Sequence, residues 1–423
     1  MKVLVYPHAT GIGGSQLNAV EIAGAVRDLG HDVLVVSRDG PLSGIIGQLG
    51  LPHLVLDERA RRRPSVRAAK FLTEIAIKHQ CDLVHGYEWP PGIEAFAGPW
   101  LRLRLPAICT VMSMSVAPFL PRTMPLIVGT SQIRDAAIRA GHSRVTLLEP
   151  PVDTHLNAPG LGAGSFTAAL GFLADIPLVV IVSRLVPELK LEGLLAACDA
   201  AGELAGSGTA IQLAIVGDGQ ARPQVEEAAA RANARAGRAV VRLAGLMTDP
   251  RPAYAAADVV VGMGVSALRG MAFAKPVVVQ GEHGFCELVN ERSAAMFAHQ
   301  GFFGLGPPAH GRAEAAVRLA AILRPLLGDP QVRLALGQFG RSLAVGRYSL
   351  ERAAKVQMDA YAEAVSSRAA VSLASLAADA ARAGTGLACY KAGGKLRRWR
   401  GTAAADDFNT VARMRACADA RLT

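Results

Sequence analysis

Short runs of β-branched apolar residues alternate along the first half of the chain with longer Ala- and Leu-rich stretches. Strands are predicted at 3–5, 33–36 and 83–84, and helices at 15–29 and 65–79. This alternation is typical of βαβ units, in which helices cover both faces of a parallel sheet. Residues 1–155 are therefore predicted to form one Rossmann-like domain.

A stretch rich in proline and glycine at 150–162 interrupts this pattern and is predicted to be a linker. A second alternating series follows, with strands predicted at 177–183, 211–216, 240–243, 259–261 and 277–279 and helices at 191–203, 221–236, 250–257 and 267–274. The pattern predicts an α/β protein whose second Rossmann-like domain spans 166–345 and whose helix 349–365 packs back on the first domain. We expect the two sheets to face each other across a cleft. Ligands of such folds bind at the carboxyl ends of parallel strands, so this cleft is the expected active site.

The composition fits a protein with two cores, because 423 residues with 51% hydrophobic positions are enough for two domains of ordinary size. No uncharged apolar run approaches the roughly 18 residues of a membrane span, and Met1 leads directly into a predicted strand. We therefore expect a soluble, cytoplasmic protein. The six cysteines are scattered without a Cys-x-x-Cys pair, which favours reduced thiols and no structural metal.

The net charge of +10 is concentrated at the carboxyl end, since residues 366–423 hold ten Lys/Arg against four Asp/Glu and so supply +6 of it. The densest positive run is 391–400, which contains one tryptophan. We interpret 366–423 as a disordered or loosely helical solvated tail. Binding of the basic run to an anionic lipid surface or an acidic partner is the alternative, and no nucleic-acid partner is expected.

A glycine-rich turn, Thr10-Gly11-Ile12-Gly13-Gly14-Ser15-Gln16, joins the first predicted strand to the first helix. Glycines let backbone N–H groups approach a ligand closely, and the amino end of a helix favours an anion. Such turns also serve strand-to-helix packing alone. Gly13 and Gly14 are therefore candidate donor contacts with a structural alternative.

Two cations lie six positions apart after the strand predicted at 177–183, in Arg184-Leu185-Val186-Pro187-Glu188-Leu189-Lys190. At the carboxyl end of a strand they can contact both phosphates of a nucleotide diphosphate and offset the charge that develops on a leaving group. A surface pair close to Glu188 is the alternative. We interpret Arg184 and Lys190 as the phosphate-binding, catalytic pair.

Two further strands end in turns that suit a nucleotide pocket. Gly217-Asp218-Gly219 follows the strand at 211–216, although turn formation explains this motif equally well. Ala244-Gly245-Leu246-Met247 follows the strand at 240–243, where backbone groups can read the edge of a base. Gly217, Leu246 and Met247 are therefore candidate donor contacts.

Taken together, these motifs resemble the GT-B retaining glycosyltransferases of family 4 over roughly residues 1 to 362. The segments that carry the resemblance are Gly-Ile-Gly-Gly-Ser-Gln at 11–16, Asp82-Leu83-Val84-His85, Val128-Gly129-Thr130-Ser131, Pro151-Val152-Asp153, Val182-Ser183-Arg184-Leu185-Val186-Pro187-Glu188, Val216-Gly217-Asp218-Gly219, Tyr254-Ala255-Ala256-Ala257-Asp258 and Met271-Ala272 followed by Lys275-Pro276-Val277-Val278. The resemblance implies a nucleotide sugar held mainly by the second domain, with Arg184 and Lys190 on the diphosphate. It also implies retention of configuration without a metal, and the sequence has no Asp-x-Asp motif.

The chain departs from the family where two glutamates normally stand eight residues apart, the second of them holding the ribose. The loop here is about six residues shorter, and Arg269 occupies the place of the second glutamate. Because arginine cannot accept hydrogen bonds, either Glu282 or Ser266 with the backbone is expected to hold the ribose. Arg269 is expected either to add a cation at the diphosphate or to pair with Glu282. Gly284 and Phe285 follow Glu282 and complete the candidate donor contacts.

A second departure lies in the first domain, where Met112 replaces the histidine that in many family members reaches the transferred sugar. Sugar recognition is therefore expected to involve Ser113 or Ser115. His85 and Glu88, in a loop with Tyr87 and Trp89, are candidate acceptor-side residues, with a purely structural loop as the alternative.

Six cations cluster in the first domain with one nearby acid, Glu58: Arg59, Arg61, Arg62, Arg63, Arg67 and Lys70. In the phosphatidylinositol mannosyltransferases a basic amphipathic element of this domain docks on anionic lipid, whereas a solvated loop is the alternative reading. The sequence thus predicts transfer of a hexosyl or N-acetylhexosaminyl unit from a UDP- or GDP-sugar to a hydroxyl of a small acceptor, such as a specialised metabolite or cyclitol. A lipid or cell-envelope acceptor, and a nucleotide-binding protein without activity, are the alternatives.

Overall fold

The computed structural model describes residues 1–7, 13–56, 64–162, 164–399 and 408. The chain divides into two compact units, one formed by Met1–Pro150 with Leu350–Thr423 and the other by Pro151–Ser349. Each unit is built on its own mainly parallel sheet. Among the described residues no helix has both the length and the apolar character needed to cross a membrane.

The first unit begins with seven parallel strands in the order β3-β2-β1-β4-β5-β6-β7. These are β1 (Lys2–Tyr6), β2 (Asp32–Ser37), β3 (His53–Val55), β4 (Leu83–Tyr87), β5 (Ala107–Val111), β6 (Leu126–Val128) and β7 (Val145–Leu147). The helices between them are α1 (Gly14–Asp28), α2 (Pro41–Gln48), α3 (Val66–Lys78), α4 (Trp89–Ala95), α5 (Leu101–Leu103) and α6 (Ser131–Arg139), with a π-helical turn at Phe96–Trp100. The central strands are buried along their length, as the β-branched runs predict for strands covered on both faces.

The second unit has six strands in the order β10-β9-β8-β11-β12-β13, of which only β13 runs antiparallel to its neighbour among the pairings described. They are β8 (Leu178–Val182), β9 (Gln212–Val216), β10 (Val241–Gly245), β11 (Val259–Gly262), β12 (Val277–Gln280) and β13 (Cys286–Leu288). Its helices are α7 (Gly164–Ala169), α8 (Leu191–Gly206), α9 (Arg222–Ala236), α10 (Arg251–Ala256), α11 (Val265–Ala272), α12 (Glu291–Gln300), α13 (Arg312–Gly328) and α14 (Pro330–Tyr348). Helices α8 and α9 approach closely because Gly202 lies against Ala232, where a Cβ would stand 2.8 Å from the Ala232 Cα.

The chain then returns to the first unit through α15 (Leu350–Ser366), a 3₁₀ turn (Ser367–Ala370) and α16 (Leu373–Trp399). Helix α15 packs on α1, and its Tyr361 is buried in the same core as Val3 and Val5 of β1. The described cysteines are free thiols, and all of them except Cys389 are buried.

The carboxyl-terminal segment differs from the solvated tail that its composition suggests. Helix α16 runs for 27 residues, and Leu376 and Ala383 are buried in the core of the first unit. Its Gly386 lies against Phe119, where a Cβ would stand 2.6 Å from the Phe119 Cβ. The interpretation as a solvated tail is therefore wrong for 373–399, because alanine and leucine at helical spacing give α16 an apolar stripe that a core can bury.

Replacing Leu376 by alanine is expected to lower the free energy of unfolding of the first unit by about 2–4 kcal/mol, because it leaves a cavity in a packed core. The matched variant Leu373→Ala, on the same helix, removes a side chain that is 75% exposed. It should change that free energy by about 0.5 kcal/mol or less. Urea unfolding followed by circular dichroism measures both, and equal effects of the two variants would contradict the packing of α16.

Candidate functional site

The functional residues predicted for the second unit meet at one edge of its sheet, beyond the carboxyl ends of the parallel strands. The strand order changes direction between β8 and β11, and the loops that follow these two strands diverge there to leave a crevice. Arg184 and Lys190 lie in the loop after β8, and Ser266 lies in the first turn of α11 after β11. The topology therefore brings together residues that are about 80 positions apart in the sequence.

The loop after β8 concentrates positive charge. Arg184 is exposed, and Lys190 is partly buried at the start of α8. Burial, together with the neighbouring charge of Arg184, lowers the pKa of Lys190 to about 8. Neither side chain forms an ion pair with a carboxylate among the described residues. The described part of the chain thus places two cations near each other with no carboxylate paired to either, which is an arrangement that favours a bound polyanion.

The turn after β9 fixes the beginning of this loop. Leu185 donates its backbone N–H to the Asp218 carbonyl oxygen at 2.9 Å, and its own carbonyl accepts from Ala221 N at 2.8 Å. Gly217 has a φ of 139°, and a Cβ there would stand 1.8 Å from the Ser183 carbonyl oxygen. Only glycine permits that approach, so the motif Gly217-Asp218-Gly219 holds the Arg184 loop in place.

Glu282 fixes the end of the same loop. Its Oε1 accepts the Leu189 N–H at 3.0 Å, and Leu189 has a left-handed φ of 63° immediately before Lys190. Burial raises the pKa of Glu282, and the negative charge of Glu192 acts in the same direction. One carboxylate oxygen of Glu282 therefore accepts a hydrogen bond from the backbone of the loop that follows β8.

Arg269 is not the ion-pair partner of Glu282, and that alternative is wrong. The charge of Arg269 acts instead on Asp249 and Tyr254, on the side of the crevice near α10. Ser266, one turn earlier on α11, shares a hydrogen bond of 2.9 Å with the Tyr254 hydroxyl. Asp249 in turn accepts two hydrogen bonds from the Arg251 guanidinium, at 2.8 and 2.6 Å.

A half-buried carboxylate that sequence reasoning missed is that of Glu192, in the first turn of α8. Its two carboxylate oxygens accept the N–H groups of His283 and Gly284, at 3.2 and 2.7 Å. These two hydrogen bonds stabilise a turn in which His283 and Gly284 have positive φ. Local sequence carries no signal for this role, because the two donors lie 91 and 92 positions later in the chain.

The remaining predicted donor contacts separate into exposed and packed side chains. Leu246 is 78% exposed beyond the carboxyl end of β10, whereas Met247 packs against the core of the unit. Phe285 also packs against that core, and its ring lies so close to Gly304 that a Cβ there would stand 2.4 Å from it. Leu246 is therefore the exposed apolar side chain of this group, and Phe285 stabilises the turn behind Glu282.

In the first unit the strand order changes direction between β1 and β4. Gly13 and Gly14 lie at the amino end of α1, next to that point. Residues 10 to 12 of the glycine-rich turn lie outside the described residues.

Glu88 connects three segments at the same edge. It is buried, has a left-handed φ of 68°, and directly follows β4. Its Oε1 accepts from Ser15 Oγ at 2.8 Å and from Met112 N at 3.0 Å, and its Oε2 accepts from Ser113 Oγ at 2.7 Å. The acceptor-side residues Glu88 and Ser113 are thus brought together with the start of α1.

The prediction of an acceptor-side role for His85 is wrong. Its ring is fully buried within β4, Nδ1 lies 2.7 Å from the Tyr361 hydroxyl, and Nε2 lies 2.7 Å from Thr110 Oγ1. Burial lowers the pKa of His85 to about 3, so the ring is neutral at physiological pH. A polar residue at the end of a predicted strand gives no warning that a helix 276 residues later covers it.

The basic cluster between residues 59 and 70 lies only partly within the described residues. Arg59, Arg61, Arg62 and Arg63 lie outside the described residues. Arg67 and Lys70 lie on the exposed side of α3, and Lys70 Nζ stands 3.6 Å from a Glu74 carboxylate oxygen.

Comparison with known families matches both units. The family described as "Glycosyltransferase Family 4" matches residues 12–156, and "Glycosyl transferases group 1" matches residues 176–318. The chain belongs to the family 4, group 1 glycosyltransferases. No curated protein matches this glycosyltransferase in sequence.

Solved structures agree with this assignment at the level of the fold. A glycosyltransferase from Rickettsia africae has a TM-score of 0.68 at 14% identity, over 86% of this chain and 98% of that one. Anabaena Alr3699/HepE in complex with UDP has a TM-score of 0.65 at 19% identity, over 86% and 100%. S. aureus TarM, in complex with UDP and alpha-GlcNAc-glycerol among other ligands, has a TM-score of 0.56 at 10% identity, over 85% and 99%. The glycosyltransferase therefore has the GT-B fold, and the fold expected from the sequence is confirmed.

Replacing His85 by alanine is expected to destabilise the glycosyltransferase by about 3 kcal/mol, because it opens a cavity and leaves Tyr361 and Thr110 without their partner. Tyr361→Phe removes only one of these hydrogen bonds and should have a smaller effect in the same direction. Thermal unfolding measures both. A stable His85→Ala protein with a changed acceptor KM would restore the acceptor-side role.

Proposed function

We propose that this glycosyltransferase transfers a hexosyl or N-acetylhexosaminyl unit, with retention, from a UDP- or GDP-sugar to a hydroxyl of a small-molecule acceptor, such as a specialised metabolite or cyclitol. The observation that carries the proposal is the pair Arg184 and Lys190, held together at the carboxyl end of β8 with no balancing carboxylate among the described residues. We also propose that the enzyme acts in the cytoplasm.

The chemistry of this pair suits a nucleoside diphosphate as leaving group. Negative charge builds on the diphosphate as the bond to the sugar breaks, and cations already positioned there stabilise that charge without reorganising. Protonated Lys190 and Arg184 supply the countercharge, so the proposed reaction needs no metal ion. The leaving phosphate then acts as the base for the acceptor hydroxyl, which requires that donor and acceptor be held in the correct orientation.

Relatives of the same fold support the choice of donor. The Anabaena protein has been solved with UDP, with UDP and glucose, and with UDP-glucose. For this chain we place the nucleotide beside Leu246, whose exposed side chain can cover one face of the base. Met247, Gly217 and Gly284 shape the same pocket through the backbone.

We propose that the ribose is held by a group other than the glutamate that is usual in the family. Glu282 Oε1 is committed to Leu189 N, and arginine has no acceptor atom. We therefore assign the ribose to Ser266 together with the backbone at the start of α11, where Tyr254 orients the hydroxyl. Arg269 adds positive charge on the α10 side of the crevice.

The first unit supplies the acceptor side of the proposed reaction. The hydroxyls of Ser15 and Ser113 are oriented by Glu88, close to the amino end of α1 where Gly13 and Gly14 lie. Polar groups at a strand end suit a hydroxylated ligand. A lipid or cell-envelope acceptor at an anionic membrane is the second candidate, favoured by the exposed cations Arg67 and Lys70.

Lys190→Ala is expected to reduce transfer by about 100-fold or more, as for the loss of a positioned group that stabilises a developing anion. Arg231→Gln is the matched control, because it removes one charge from an exposed i,i+4 pair with Glu227 on α9. Mass spectrometry of donor hydrolysis and of transfer to simple acceptors measures activity. Near-normal activity of Lys190→Ala would contradict the assignment.

Calorimetry with UDP, GDP and ADP separates the competing functions. If none of the three nucleotides binds, the proposed donor site is contradicted. Binding without turnover over a broad set of donors and acceptors would favour a nucleotide-binding protein without transferase activity.

The affinity for UDP is expected to fall as the pH rises through about 8, because Lys190 loses its charge around that pKa. Below this value the lysine is protonated and contributes fully, and the diphosphate raises its pKa further on binding. Lys190→Arg keeps a charge over the whole range and should remove the decline. Calorimetric titrations of both proteins between neutral and alkaline pH measure the affinity for UDP. An identical decline of affinity in the arginine variant would show that a group other than Lys190 causes the decline.

A further inference from the structure

Helix α16 presents one face to solvent in a fixed direction. The opposite face is fastened to the first unit by Leu376 and Ala383, and farther along by Leu387 and Tyr390. The Tyr390 ring packs in an aromatic cluster with Trp89, Phe119 and Phe408. The outward face is therefore not free to turn toward the protein core.

That outward face contains no acidic residue. The one acid in the helix sequence, Asp379, is buried and accepts the Thr123 N–H at 2.6 Å, next to the Arg382 guanidinium. The exposed positions in the middle of the helix are small, namely Ala377, Ala378, Ala381, Gly384, Thr385, Ala388 and Cys389. An exposed helix face normally carries charges of both signs, so this face is unusual for one that contacts water alone.

The last turns of the helix add large apolar side chains and cations. Trp399 is 82% exposed and Leu396 is 47% exposed. Lys391 and Lys395 are exposed at i,i+4 spacing from each other, and Trp399 continues the same row. Residues 391–400 contain five Lys/Arg and no Asp/Glu.

We propose that the carboxyl-terminal turns of α16 form a docking surface for an anionic lipid bilayer. Tryptophan and leucine side chains partition into the boundary between headgroups and acyl chains, and lysines bury their stems while their ammonium groups meet lipid phosphates. Trp399 and Leu396 supply the apolar side chains that partition, and Lys391 and Lys395 supply the ammonium groups.

The positive charge of the outward face of α16 favours an anionic bilayer over a second copy of the chain as its partner. A symmetric pairing of two α16 helices places the same surface on both sides, and the outward face offers no carboxylate to its partner's lysines. A bilayer rich in anionic headgroups supplies that charge. The proposal concerns the first unit alone and does not depend on the donor, the acceptor or the transfer reaction.

The test is co-sedimentation of the full-length protein with vesicles of phosphatidylcholine, with and without phosphatidylglycerol. The wild type is expected to sediment with the anionic vesicles and to be released by salt. Lys391→Gln/Lys395→Gln should reduce partitioning by about tenfold or more. The matched control Lys355→Gln/Arg324→Gln removes the same charge from α15 and α13 and should bind as wild type.

Tryptophan fluorescence locates the contact. Trp100 is buried and Trp89 lies in the aromatic cluster, so Trp399 is the tryptophan whose emission should shift to the blue on anionic vesicles. Trp399→Phe should keep most of the binding and lose the shift. Unchanged thermal unfolding of each variant shows that α16 remains packed.

Several results would overturn the proposal. These are no sedimentation with anionic vesicles, equal binding of the Lys391→Gln/Lys395→Gln protein, or a blue shift that persists in Trp399→Phe. Concentration-dependent dimerisation that is lost in Leu396→Ser/Trp399→Ser, without any vesicle binding, would assign the surface to a second copy instead.

Discussion

The charge of Lys190 lies beside that of Arg184 in a partly buried position, and the crevice of the second unit depends on the backbone contacts that keep both charges there. Like charges at short range repel, and burial adds a desolvation cost, which together lower the pKa of Lys190 to about 8. The fold tolerates this because backbone contacts on both sides hold the loop. Asp218 and Ala221 bind its beginning, and Glu282 binds its end. A polyanion bound beside the two cations would offset the repulsion between them.

Carboxylates in both units act mainly on the backbone. Glu192 accepts from two consecutive N–H groups, Glu282 from Leu189, and Glu88 from Met112 as well as from two serines. Glu88 and Leu189 also have left-handed φ values, which a local interaction has to maintain. Acids beside the crevice thus set loop shape, while the cations there range from the exposed Arg184 to the partly buried Lys190.

The sequence predicted β1, β2 and β4 of the first unit and β8 to β12 of the second, because their apolar runs are buried on both faces and leave a continuous pattern. It did not predict β3, β5, β6, β7 or β13. It also predicted that Arg184, Lys190 and Ser266 lie at one sheet edge, since topology alone places the carboxyl ends of parallel strands together. It did not reveal that Glu282 accepts a hydrogen bond from Leu189, that beside the hydrogen bond from Arg251 the charge of Arg269 lowers the pKa of Asp249, or that Tyr361 covers His85. Each of these depends on contacts between residues far apart in sequence, which neither periodicity nor local spacing encodes. The packing of α16 was missed for a different reason, because an Ala-rich basic segment has the composition of a solvated tail.

The return of the chain to the first unit has a consequence for the order of folding during synthesis. The second unit, residues 151–349, is contiguous and has its whole sequence available as soon as it leaves the ribosome. The first unit does not, since Tyr361 completes the hydrogen bonds of His85 and Leu376 completes a core begun by Leu4. Contacts of such long sequence separation form slowly. The sheet of the first unit is synthesised first but is the last to be fully covered. Its exposed apolar face is therefore the part of the nascent protein that most needs protection from aggregation.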